Sequence, residues 1–194
     1  SPGSPRHNGH VSAETSTAAS PDTSVVIVTG LSGSGRRTSA HALEDLGWYV
    51  VDNLPPLMMA SLARTAAGFG ADRVAIVVDV RSREQFDQLP QALRELKDMG
   101  CSITSVFLEA DDDVIVQRQE SNRRPLPLQF GGRLIEGIDR ERRLLADQRA
   151  QADIVVDTTR LSARQLVQRI VNHFGDEATD RLKIALISFG FKNR

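Results

Sequence analysis

The stretch VVIVTGLSGSGRRTS, residues 25–39, decides the fold. It begins with a β-branched run typical of a buried strand, continues through a glycine-rich loop and ends in residues with helical spacing. The loop matches the pattern G-x-x-x-x-G from Gly30 to Gly35, in which backbone N–H groups turn inward around a phosphate. A helix beginning near Arg37 would direct the positive end of its dipole at the same point. The stretch therefore predicts a phosphate-binding loop, with a plain glycine-rich turn as the alternative.

The rest of the chain alternates between strand-like and helix-like segments. We predict strands at the following apolar runs: Val25–Thr29, Trp48–Val51, Val74–Val78, Ser102–Leu108 and Ile154–Val156. We predict helices at the segments with helical spacing: Thr38–Leu46, Pro55–Gly68, Glu84–Met99, Asp111–Ser121, Leu134–Ala150 and Ser162–Phe174. Continuous apolar strands interleaved with helices are typical of a parallel sheet covered on both faces. The predicted fold is thus α/β, a kinase-like P-loop NTPase domain with a five-stranded parallel sheet and helices on both faces.

Length and composition limit the protein to one ordinary domain with tails. The chain has 194 residues, of which 40% are apolar and 25% charged, and its formal net charge is −1. The near-zero charge argues against a wholly basic nucleic-acid-binding protein, and a single cysteine, Cys101, excludes a disulfide framework. No apolar run approaches the roughly 18 residues of a transmembrane helix, and a cytoplasmic location is expected.

Three segments are expected along the chain. Residues 1–24 are rich in Ser, Pro, Gly, Thr and Ala, and such a segment cannot bury enough apolar surface to fold. We therefore predict a disordered tail at 1–24, a nucleotide-binding domain at 25–175, and a linker at 176–194 that leads into the truncated start of a C-terminal domain.

The residues after the last glycine depart from the usual lysine followed by Ser or Thr. Arg36 keeps a positive charge and can fork onto phosphate oxygens. Arg37 cannot bind Mg²⁺, and Thr38 could do so only if the register shifts by one residue. We therefore expect phosphate binding to survive better than metal-dependent phosphoryl transfer. The predicted phosphate contacts are Gly30, Leu31, Ser32, Gly33, Ser34, Gly35, Arg36, Arg37 and Thr38.

Acidic residues follow two other predicted strands. The third strand ends at Asp79, which has the form of a Walker B acid that would hold Mg²⁺ together with Thr38; a turn or cap residue is the alternative. Val80, Arg81 and Ser82 come next, and Arg81 could contact a base, ribose or phosphate. The second strand ends at Asp52-Asn53, where a site in the same crevice and a cap on the following helix are weighted equally.

An arginine-rich region begins at Arg118. Within it, Arg123 and Arg124 lie in an irregular Pro-containing segment, and we predict that they close over the phosphates as a catalytic flap. For the later arginines a solvated helix face with acidic partners is preferred: Arg140, Arg142 and Arg143 with Glu136 and Glu141. Binding of RNA phosphates by the cluster stays open.

Six blocks in order resemble the RapZ, or YvcJ-type, family of bacterial P-loop nucleotide-binding proteins, whose best-studied members act as RNase adapters. The blocks are VIVTGLSGSG, LEDLGWYVVDNLPP, VVDVRSR, RRPLPL, ADIVVDT and SFGFK. The resemblance implies ATP at Gly30–Arg37, GTP at Asp79–Ser82 and weak ATPase and GTPase activity. The pair Arg36-Arg37 differs from the family's usual Lys-Ser and resembles actinobacterial members. The resemblance also implies a C-terminal domain, starting near SFGFK, that serves RNA binding and adapter work.

The leading hypothesis is an ATP- or GTP-binding domain, with Mg²⁺ as the accompanying ion, of a RapZ-like regulatory protein with weak or impaired hydrolysis. The alternatives are a small-molecule P-loop kinase and an RNA-binding scaffold that no longer uses nucleotide. An RNA or protein partner is expected to act through the C-terminal domain, and a homo-oligomer is expected for the full-length protein. The preferred base and the identity of the partner stay open.

Overall fold

A five-stranded parallel sheet forms the centre of the structure. This structure, a computed structural model, describes residues 23–78, 83–122 and 134–175. The strands are β1 (Ser24–Gly30), β2 (Tyr49–Asp52), β3 (Arg73–Val77), β4 (Ser102–Glu109) and β5 (Ile154–Asp157). Their order in the sheet is β2-β3-β1-β4-β5, and all four pairings are parallel. The predicted α/β fold class is confirmed, and β1, which carries the glycine loop, lies at the centre.

Helices connect the strands and cover the sheet. They are α1 (Arg36–Asp45), α2 (Met59–Gly68), α3 (Arg83–Asp98), α4 (Asp112–Asn122), α5 (Leu134–Leu144), α6 (Ala146–Gln151) and α7 (Ala163–Phe174). The last helix begins as its sequence predicts, because Ser162 and Gln165 form a reciprocal capping box.

The three central strands, β1, β3 and β4, contribute alternate residues to two cores. On β1, Val25 and Ile27 point into a core shared with α2 and α3, whereas Val26 and Val28 point into a second core shared with α1 and α7. This explains why the central strands are continuous apolar runs, since the sheet is buried on both faces there. The carboxyl ends of the strands meet at one edge, which positions the site.

Most predicted boundaries differ from the structure by one or two residues, and three differences are described here. The segment after Pro55 starts as a 3₁₀ turn at Pro56–Met58 before α2 begins. The single helix predicted over Leu134–Ala150 is broken at Leu145, whose ψ of 2° is not helical and whose side chain is completely buried in the first core. The first strand begins at Ser24, one residue before its predicted start, because Ser24 pairs with Arg73 of β3 and Ser102 of β4.

Candidate functional site

The loop between β1 and α1 depends on glycine for two different reasons. Gly33 and Gly35 have φ values of +78° and +108°, in the left-handed region that favours glycine. Gly30 is limited by space, because a Cβ atom there would lie 2.4 Å from the carbonyl oxygen of Leu108 on β4. At Gly35 a Cβ would lie 2.5 Å from the Leu166 side chain of α7, so α7 packs closely against this part of the loop.

Three carbonyl oxygens of the loop accept hydrogen bonds from other groups of the protein. The oxygen of Leu31 accepts from both the N–H of Ser34 (3.1 Å) and its hydroxyl (2.5 Å). The oxygen of Ser34 accepts from the hydroxyl of Thr158 (2.7 Å), and the oxygen of Gly33 accepts from Nη1 of Arg118 (2.9 Å). These carbonyl oxygens would repel a bound anion, and each already accepts a hydrogen bond from the protein.

Arg118 on α4 ties the loop to the end of β5. Its Nη1 also donates to the hydroxyl of Thr158 (3.0 Å), and its Nη2 donates to the carbonyl oxygen of Thr158 (2.7 Å). Partial burial lowers the pKa of the Arg118 guanidinium from its usual value. Guanidinium groups form several hydrogen bonds in a fixed geometry, so this residue sets the position of the loop relative to the sheet.

The start of α1 offers donors of the kind that a phosphate needs. Gly35 is its N-cap and supplies no side-chain hydrogen bond, and the first turn holds no acidic residue. The N–H groups of Arg36, Arg37 and Thr38 have no acceptor within the helix, because each would need a carbonyl from a preceding turn. These groups, the helix dipole and the two positive side chains fit an anionic phosphate tail.

The three residues at the start of α1 occupy different environments. The Nη1 of Arg36 donates to the carbonyl oxygen of Val78 at 3.2 Å, so the side chain extends from α1 to the residue that follows β3. Arg37 is exposed, and Thr38 is half-buried. Arg36 thus reaches the strand end that leads into Asp79.

Glu141 corrects the expectation of a solvated acidic partner on α5. Its side chain is 1% exposed, and its Oε1 accepts a hydrogen bond from the N–H of Ser32 in the loop. Arg142 bonds to the carboxylate of Asp112 at 2.7 Å and to the carbonyl oxygen of Ala110 at 2.6 Å. The prediction of a solvated face fails for Glu141 because the fold packs this side of α5 against the loop.

Asp52 and Asn53 lie at the end of β2, and neither caps the next helix. The N-cap of the 3₁₀ turn is Pro55, with no side-chain hydrogen bond, so the capping interpretation is wrong. Asn53 takes a left-handed φ of 59°, and its N–H donates to Val77 on β3 at 2.9 Å. The carboxylate of Asp52 is exposed at the carboxyl edge of the sheet.

Several predicted site residues lie outside the described part of the chain. They are the Walker B-like segment with its flanking residues and the flap arginines: Asp79, Val80, Arg81, Ser82, Arg123 and Arg124. Their roles stay predictions from the sequence. Val78, the residue before Asp79, is still attached to the sheet, because its N–H donates to the carbonyl oxygen of Val28 on β1 at 2.9 Å.

Sequence reasoning missed the residues that hold the loop from other elements. Glu141, Thr158 and Leu166 follow the loop by more than a hundred residues, and no local spacing links them to it. Thr158 had one signal, because it ends the block ADIVVDT. Arg118 stands out in the sequence only as the first of a series of arginines.

A family model and several relatives match the part of the chain that contains this loop. A family model described as the RapZ-like N-terminal domain matches residues 23–178. A nucleotide-binding protein of Cutibacterium acnes is 56% identical over 168 residues, which is 87% of this chain and 58% of the relative. A nucleotide-binding protein of a Nocardioides species is 54% identical over 170 residues, covering 87% and 56%. The chain thus spans just over half the length of these relatives.

Solved structures share the fold at low identity. The tunicamycin resistance protein of Deinococcus radiodurans superposes with a TM-score of 0.56 at 20% identity, covering 79% of this chain and 96% of that one. Shikimate kinase of Acinetobacter baumannii, in complex with shikimate, gives 0.50 at 18% identity, covering 77% and 91%. These likenesses show that the chain shares the fold of these proteins. Within the described ranges, no helix is both long enough and apolar enough to cross a membrane.

Proposed function

Because the chain belongs to the RapZ-like N-terminal domain family, we propose that its Gly30–Arg37 loop binds the phosphates of ATP or GTP within a regulatory protein. One observation carries the proposal: carbonyl oxygens of the loop are held by Arg118, Thr158 and Ser34, while the amides at the start of α1 have no helical acceptor. The name "nucleotide-binding protein" carried by the relatives supports the same ligand.

Hydrolysis in this proposal is weak or impaired. Arg37 occupies the position at which a P-loop places the Ser or Thr that binds Mg²⁺, and its side chain is exposed. When Mg²⁺ is bound, it would neutralise charge on the phosphates, and Asp79 and Thr38 are the proposed residues to hold it. Arg36 would add a fixed positive charge beside the outer phosphates, and Arg123 and Arg124 would cover them as a flap.

The role of the whole protein extends beyond this domain. Because the chain spans 58% of the Cutibacterium acnes relative, a regulatory partner, RNA or protein, would use the remaining part. We propose a cytoplasmic location and a homo-oligomer for the full-length protein. The nucleotide would then act as the signal that this domain senses.

A second candidate is phosphoryl transfer to a small acceptor. Asp52 favours it, because this exposed residue at the end of β2 pairs with Val77 of β3, next to Val78, whose carbonyl oxygen accepts from Arg36. A carboxylate in that position could accept the proton of an acceptor hydroxyl. The kinase-like fold permits this chemistry.

Calorimetric titration with ATP and GTP, with and without Mg²⁺, tests the proposal. Arg36→Ala should weaken triphosphate binding more than monophosphate binding, because the lost charge contacts the outer phosphates; one charge-assisted bond corresponds to about 1.5–3 kcal/mol. Arg94→Ala, an exposed arginine on α3, is the matched control and should change neither affinity.

Each outcome separates the candidates. Binding with little turnover supports a nucleotide-sensing domain, and turnover accelerated by a small acceptor supports the kinase. A folded protein that binds neither nucleotide in either condition contradicts both and favours an RNA-binding scaffold. Equal losses of monophosphate and triphosphate affinity in Arg36→Ala would show that Arg36 contacts something other than the outer phosphates.

A further inference from the structure

A cleft opens between α3 and α6, on the face of the sheet that carries the first core. Its floor is formed by β1 and β4, where Ile27 and Ser105 are paired across the two strands. Its volume is about 360 Å³ with the open mouth included. Clefts of this size are typical of sites for small molecules. Among the described residues, none of the loop Gly30–Arg37 lines it, so the cleft is separate from the phosphate site.

One wall of the cleft is apolar. Leu89 and Leu93 lie one turn apart on α3 and line the cleft together with Ile27 at its floor. Pro90, inside the same helix, has no N–H, so the carbonyl oxygen of Phe86 lacks the donor that an α-helix normally supplies. This wall thus offers an apolar surface with a backbone acceptor beside the Pro90 ring.

The opposite side of the cleft is polar. Thr29 and Ser105 contribute hydroxyl-bearing side chains from the strands, and Gln148 and Gln151 contribute carboxamides from α6. The Oε1 atom of Gln148 is buried and has no hydrogen-bond partner in the part of the chain that the structure describes. A buried acceptor without a donor costs free energy. A ligand that donates a hydrogen bond to this oxygen would remove that cost.

The chemistry of the lining favours a neutral ligand. Of the described residues, none that lines the cleft carries a formal charge. A charged ligand would lose hydration there without meeting an opposite charge. A carboxamide such as that of Gln148 offers both a donor and an acceptor, which match the N–H and C=O of a cyclic amide. The apolar wall of α3 matches the hydrocarbon edge of the same ring.

We propose that this cleft is a second binding site, which takes a small uncharged cyclic amide, a lactam or a lactam-like heterocycle. The hydrocarbon edge of the ring packs against Leu89 and Leu93, and its N–H donates to Oε1 of Gln148. The inference does not depend on the proposed function, because the cleft and the phosphate loop share no residue.

The unmodified protein provides the first test, with δ-valerolactam as the probe. In ¹H–¹⁵N NMR spectra, titration should shift the backbone amide signals of Thr29, Ser105 and Leu93 until they saturate. N-methyl-δ-valerolactam, which lacks the N–H, should bind about fivefold more weakly, the equivalent of one neutral hydrogen bond. Cyclohexanecarboxylate, a charged ring of similar size, should not bind.

Three outcomes of this titration overturn the inference. The first is equal affinity for the lactam and its N-methyl derivative, and the second is binding of the carboxylate as tight as that of the lactam. The third is the absence of saturable shifts at the cleft, including shifts confined to Gly33 and Gly35, which would place the probe in the phosphate loop.

Gln148→Met provides the second test, because it keeps the length of the side chain but removes the amide. The variant should bind δ-valerolactam about fivefold more weakly and the N-methyl derivative as before, so the preference between the probes disappears. Gln168→Met removes the same group from an exposed position on α7, on the other face of the sheet, and should change neither affinity. A preference that survives in Gln148→Met overturns the inference.

Leu93→Trp decides the matter if the Gln148→Met protein does not fold. Leu93 is half-buried at the wall, so a larger side chain can enter the cleft from α3. This variant should bind δ-valerolactam at least about tenfold more weakly. Unchanged affinity in Leu93→Trp overturns the inference, because the probe would then lie elsewhere.

Discussion

Replacing Gly35 with alanine should destabilise the fold through α7 as well as through the backbone. The φ of +108° disfavours any L side chain, at a cost of about 1–2 kcal/mol. The added Cβ would also lie 2.5 Å from Cδ2 of Leu166, a buried residue of the second core. Displacing that methyl group from its rotamer costs about 1 kcal/mol. We therefore expect Gly35→Ala to lower the free energy of unfolding by about 2–3 kcal/mol.

Urea denaturation with matched variants separates the two contributions. Gly70→Ala meets the backbone penalty alone, since φ is +85° and nothing lies within 4 Å of its Cβ; it should cost about 1–2 kcal/mol. Gly68→Ala on α2 has neither problem and should stabilise by about 0.5–1 kcal/mol. In a Leu166→Ala background, Gly35→Ala should cost no more than Gly70→Ala does in the unmodified protein.

Nucleotide titration of the same variants decides why glycine is needed at position 35. A displaced loop should bind ATP at least about tenfold more weakly in the folded Gly35→Ala protein. An equal loss of stability from Gly35→Ala with and without the Leu166 side chain would exclude a clash with α7. Unchanged stability with weaker nucleotide binding would show that only crowding of the phosphate requires the glycine.

Three further predictions follow from the site. Arg118→Met removes the contacts that hold the loop to β5, and calorimetry should show about tenfold weaker ATP binding in a folded protein; unchanged affinity would exclude this role. The hydrogen bonds that Thr159 donates lower the pKa of Asp157, so the stability that they supply is present above the unfolded pKa and is lost as the pH falls through the lower folded pKa. Acid denaturation should therefore be shallower for Asp157→Asn, and an unaltered acid limb contradicts the assignment. Arg36→Lys should bind nucleotide with little added hydrolysis, whereas Arg36→Lys with Arg37→Ser should hydrolyse faster in a phosphate-release assay; high turnover in the single variant would show that Arg37 is not the obstacle.

The order of the elements could be predicted from the sequence because it follows from local patterns. Both faces of β1 are buried, so Val25–Val28 form a continuous apolar run, and the glycines that follow are needed where φ is positive. Loop composition and the strand-loop-helix order then predict a phosphate site, since these features depend on neighbouring residues alone.

Tertiary structure alone decided what surrounds the loop. Glu141 is one of several charged residues on an arginine-rich helix, and only the packing of α5 turns it toward Ser32. In the same way, Leu166 limits Gly35, and Arg118 meets Thr158 at the loop carbonyls. Such contacts join residues that are far apart in the chain, and their formation depends on how helices pack on the sheet, which no local periodicity encodes. The sequence by itself therefore determined the position of the glycine-rich loop after β1, whereas the folded arrangement decided which distant groups hold that loop.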